Sequence, residues 1–108
     1  MALIDNVKQL AGEDLGGLVK KFEEGGYADQ ARSWVATGAN KVIDSGAIDK
    51  VLGHETVAGI GKKVGLDTKQ TAAKIADLLP KVVDRLTPEG KVPPQEQVNA
   101  ELPSIKEE

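Results

Sequence analysis

Apolar side chains recur three or four residues apart along nearly the whole chain, the spacing of helices that bury one face. Leu3, Val7, Leu10 and Ala11 predict a helix over residues 2–11, interrupted by Gly12. Leu15, Leu18, Val19 and Phe22 share one face of a second helix, Glu13 to Glu24, with Glu13 and Asp14 at the positive end of its dipole. Gly25-Gly26 ends it, because glycine accepts the left-handed conformation of a helix C-cap. Ala28, Ala31 and Val35 form a small-residue face on a third helix, Ala28 to Ala36, and Trp34 beside them is expected to close the core. Thr37-Gly38-Ala39-Asn40 is a turn cluster.

The second half predicts three more helices. Ser45 is the expected N-cap of a short one carrying Ala47, Ile48, Val51 and Leu52, ended by Gly53. Val57, Ile60 and Val64 mark the next, Glu55 to Val64, with Gly65 as its C-cap. Asp67 and Gln70 have the spacing of a capping box, so the last helix starts at Thr68. Its apolar positions Ala72, Ile75, Leu79, Val82 and Leu86 keep register past Pro80, which predicts a kink rather than a stop. Helix, tight turn and long helix make a helix-turn-helix arrangement. Thr87-Pro88-Glu89-Gly90 is a turn. No stretch alternates apolar and polar residues as a strand would. Residues 93–108 combine three prolines with few apolar anchors (Val98, Leu102, Ile105) and are expected to be a flexible acidic tail.

A chain of 108 residues suffices for one domain. Only 3% of residues are aromatic, so Leu, Ile, Val and Ala must build the core, with Phe22, Tyr27 and Trp34 as the large rings. The absence of cysteine excludes disulfides and zinc-thiolate sites. No apolar run approaches the ~18 residues of a membrane helix. Met1-Ala2-Leu3-Ile4-Asp5 lacks the basic and apolar regions of a signal peptide, so the chain is expected in the cytoplasm. The net charge of −3 is uneven: residues 54–92 carry a balance of +2, residues 1–53 of −2 and residues 93–108 of −3. The basic excess is small for a duplex binder, which draws most of its non-specific affinity from phosphate contacts.

A resemblance emerges from several motifs together. These are Gly16-Gly17-Leu18, Gly26, Ser33-Trp34-Val35, Thr37-Gly38-Ala39-Asn40, Leu52-Gly53, Gly65-Leu66, Leu78-Leu79-Pro80-Lys81-Val82-Val83-Asp84 and Leu86-Thr87-Pro88-Glu89-Gly90. They resemble the bacterial YidB-like family over about residues 13–92, most specifically from Leu79 to Gly90. The resemblance implies an all-helical domain whose C-terminal half is homeodomain-like. It implies no established activity and no catalytic residues. Gly61 and Thr71 depart from it, where alanine and a larger apolar residue are expected.

Few residues offer chemistry. His54, the one histidine, has no carboxylates arranged around it in sequence and sits at a helix start, where it is expected to be exposed. Adjacent pairs such as Glu13-Asp14, Glu23-Glu24 and Glu107-Glu108 point in different directions on a helix and do not converge. Ser33 and Ser45 lack a nucleophile-elbow context. Gly59-Ile60-Gly61 and Gly12 to Gly17 match no phosphate-binding fingerprint. The sharpest candidate is the exposed face of the last helix. Gln70, Lys74, Lys81 and Arg85 lie on it, with Lys69 nearer the core edge, as candidate nucleic-acid contacts. Asp77 and Asp84 lie beside them, and Lys74–Asp77 and Asp77–Lys81 are spaced to neutralise one another. Thr71 and Lys74 stand where packing residues of a helix-turn-helix are usual, so the second helix is expected to be rotated or differently packed.

Together these features predict a single all-α domain of about six short helices over residues 1–92, with the helix-turn-helix part at 45–86. They predict no enzyme, metal, cofactor, membrane association or small-molecule substrate. The expected role is a protein-interaction or structural module with a protein partner. The alternative is a weak DNA-binding protein using the helix over residues 68–86.

Overall fold

Asp67 opens the longest helix of the second half. Its carboxylate accepts from the Gln70 N–H at 2.7 Å, while Gln70 Oε1 accepts from the Asp67 N–H at 3.5 Å, completing the predicted capping box. In the computed structural model, which describes residues 3–105, helix α5 (Thr68–Leu86) runs on from there through Pro80 without a stop. Helix α4 (His54–Val64) ends at Gly65, whose φ of +76° is the left-handed cap only glycine adopts freely. The N–H groups of Gly65 and Leu66 both donate to the Gly61 carbonyl, closing the turn. Helix α3 (Ser45–Leu52) packs on α4 and α5 and completes a three-helix unit. Asp44, not Ser45, caps α3: its side chain accepts from the Ala47 N–H at 2.8 Å. An aspartate one residue earlier places its carboxylate against that turn equally well.

The N-terminal half covers this unit. Helix α1 (Leu3–Phe22) absorbs both helices expected there. The interruption lies at Asp14 (φ −168°, ψ 89°), not Gly12, and the Asp14 carboxylate accepts from the Gly17 N–H at 3.0 Å to restart the helix. Gly12 instead makes room: a Cβ there would stand 2.9 Å from Leu102 Cδ1. A π-helical turn (Glu23–Tyr27), with Gly26 at φ +99°, leads into α2 (Ala28–Val35). Trp34 is fully buried, edge-on to Phe22 at 5.3 Å, and its Nε1–H donates to the Lys41 carbonyl at 2.9 Å. Around this pair the core is aliphatic, with Leu15, Ile48, Val57, Ile75, Leu79 and Leu86 among its buried members.

The tail is not free. Helix α6 (Gln95–Glu101) and a 3₁₀ turn (Leu102–Ser104) lie against α1. Val98 is fully buried, Ile105 nearly so and Leu102 partly. These three anchors are few, but each is used: Val98 from α6, Leu102 from the 3₁₀ turn and Ile105 from the extended residue after it. Gln95 fixes the helix start: its Nε2 donates to the carbonyls of Ala11 and Gly12, and its Oε1 accepts from the Leu15 N–H. It thereby partners backbone groups at the break in α1. Pro93 and Pro94 precede the helix, where a missing N–H costs nothing. Six α-helices therefore form among the described residues, but not the expected six: two merge and α6 is added. Among the described residues there is no strand, and no helix is long and apolar enough to cross a membrane. Met1 and Ala2, where the signal-peptide reading and the first helix begin, and the pair Glu107-Glu108 lie outside the described residues.

Candidate functional site

The candidate contact face is the outer side of α5. At about 100° per residue, Gln70, Lys74, Lys81 and Arg85 fall within about 60° of one another around the helix. All four are exposed, so the fold brings together the stripe read from the sequence. Lys69 is exposed too, but lies about 100° away and lines a different feature, the cleft between α3 and α5. Gln70 is partly committed, since its side-chain oxygen serves the capping box.

The charges on this face do not neutralise one another as expected. Asp77 is exposed and Asp84 half-buried on the flank of the stripe, yet among the described residues no ion pair joins Lys74 or Lys81 to either. Helical spacing permits such pairs without requiring them, because each contributes little. Along the helix the signs alternate: Lys74, Asp77, Lys81, Asp84. Lys62 and Lys63, exposed in the last turn of α4, add basic charge close to the turn. They were missed as candidates because they belong to the first helix of the pair; their place at a helix C-terminus was the available signal.

Thr71 marks a second helix expected to be rotated or differently packed. It is fully buried and does pack against α4. A Cβ at Gly61 would meet both the Leu66 carbonyl oxygen and Thr71 Oγ1 at 2.7 Å, so glycine here and a small β-branched residue there belong together. The Thr71 hydroxyl donates to the Asp67 carbonyl at 2.7 Å and is satisfied within its own helix. Lys74, by contrast, is exposed.

The cleft between the starts of α3 and α5 has a volume of about 310 Å3, lined by Ser45, Asp49, His54, Thr68 and Lys69 among others. His54 is exposed, as expected, but does meet a carboxylate: its Nδ1 lies 3.1 Å from Asp49 Oδ1. Ser45 lines the same cleft as this pair. No three of His, Asp and Glu converge on a metal position among the described residues. Both helix N-termini facing the cleft are capped by carboxylates, of Asp44 and Asp67.

Comparison with known proteins follows the same lines. A family model described as YidB-like protein matches residues 6–95. The uncharacterised protein YidB of Escherichia coli K12 is 32% identical over 87 residues, covering 77% of this chain and 66% of that relative's length. Among solved structures, a homeodomain-like protein of unknown function from Shigella flexneri superposes with a TM-score of 0.76 at 25% identity. That match covers 94% of this chain and 83% of the other.

Proposed function

We propose that this chain, which belongs to the YidB-like family, is a non-enzymatic module that binds a protein partner through the outer face of α5. One observation carries this: the alternation of Lys74, Asp77, Lys81 and Asp84 along an exposed helix face, with no ion pairs among them. A surface of mixed sign suits a partner of complementary mixed sign. It suits the uniformly negative backbone of a duplex poorly, because Asp77 and Asp84 would face phosphates.

A second reading has one observation in its favour. Lys69, Gln70 and Lys74 occupy the first two turns of the second helix in a helix-turn-helix arrangement, where base edges are met, with Lys62 and Lys63 close by. Any such DNA binding would be weak, through Lys69, Gln70, Lys74, Lys81 and Arg85. A pull-down from native lysate separates the two, run with and without nuclease and with Lys74→Glu/Lys81→Glu as a second bait. A partner retained after nuclease and lost with the charge reversal supports the protein module. Capture that nuclease abolishes overturns it in favour of nucleic acid.

A further inference from the structure

The stripe on α5 has a symmetry that its charges alone do not require. Lys74 and Asp84 lie five residues to either side of Leu79, and Asp77 and Lys81 lie two to either side. Each pair placed symmetrically about Leu79 is thus of opposite sign. Two identical helices packed antiparallel about a two-fold axis bring together residues equidistant from the centre. At that register Lys74 of one copy meets Asp84 of the other, and Asp77 meets Lys81, each twice. The spacing of three, four and three residues is also the one that keeps a stripe facing a partner helix. Among the described residues the four side chains form no ion pair, and all are at least partly exposed.

From this we infer that the partner of the α5 face is a second copy of this chain, docked antiparallel through α5 about Leu79. The inference rests on the protein-module function above and names its occupant. The contact is weak and salt-sensitive, because exposed ion pairs contribute little each and are screened. Leu78, partly buried beside Lys74 and Lys81, adds apolar contact at the centre. Occupied in this way, the face is closed to a DNA duplex.

The test uses two exposed positions whose substitution leaves the core untouched. Sedimentation equilibrium over a concentration series, at low and high salt, gives the self-association constant of the full chain and of three variants. Wild type should dimerise reversibly and less so at high salt. Asp77→Lys or Lys81→Glu alone places like charges opposite each other twice, and each should weaken the dimer about tenfold. Asp77→Lys with Lys81→Glu restores opposite signs across the axis and should recover most of the loss. A wild-type chain that stays monomeric throughout overturns the inference. So does a dimer indifferent to all three substitutions, or single losses that the double variant fails to repair. If wild type is monomeric while the nuclease-resistant partner is still lost with Lys74→Glu/Lys81→Glu, the protein module stands and only its occupant is wrong.

Discussion

Two glycines two residues apart in α4 make opposite predictions. A Cβ at Gly59 meets nothing within 4 Å, while one at Gly61 meets the Leu66 carbonyl and Thr71 Oγ1 at 2.7 Å. Gly59→Ala should therefore raise stability by up to about 1 kcal/mol, the helix-propensity difference. Gly61→Ala gains the same propensity but forces a backbone carbonyl to move, an overpacking cost of about 1–3 kcal/mol that wins. Urea denaturation of both variants checks this; shifts of the same sign would mean that the turn does not approach α4 closely. Trp34→Ala should cost about 3–5 kcal/mol, because the ring is fully buried against Phe22. A change within about 0.5 kcal/mol would place the indole on the surface.

Helix α5 and the C-terminal strap, α6 with the 3₁₀ turn after it, differ in how much of each could be read from sequence. For α5 every signal is local: Asp67 and Gln70 at its start, Gly65 two residues before them, and an apolar stripe in register through Pro80. Its basic stripe was legible for the same reason, since periodicity alone groups Gln70, Lys74, Lys81 and Arg85. The missing ion pairs were not, because spacing permits a pair without forming it. The break at Asp14 and the strap were hidden for another reason. Each depends on the other across 80 residues of chain, through Gln95 Oε1 and the Leu15 N–H. Composition suggested a free tail, although Val98, Leu102 and Ile105 already carried helical spacing. Gln95→Ala removes the partner of the Ala11 and Gly12 carbonyls and of the Leu15 N–H. It should cost about 1–3 kcal/mol and make residues 95–105 the first site of proteolytic nicking. In the wild type those residues should be cut no faster than α1. Equal cleavage of wild type and variant would mean that Gln95 does not hold the strap.

In the fold as a whole, α5 packs on α3 and α4, and the resulting three-helix unit is covered by α1, against which α6 lies. The order helix, tight turn, long helix across α4 and α5 sets the shape, and the charge on it is mixed. Residues 54–92 carry a balance of only +2, and Asp77 and Asp84 border the face a duplex would occupy. Fluorescence anisotropy against random and selected duplexes, at two salt concentrations, decides between shape and charge. A protein-contact face predicts no tight complex at physiological salt. Any low-salt association should fade steeply as salt rises and show no sequence preference, since counterion release alone drives it. A selected site bound about 10³-fold more tightly than random DNA, with the gap abolished by Lys69→Glu and Lys74→Glu, would instead make α5 a recognition helix.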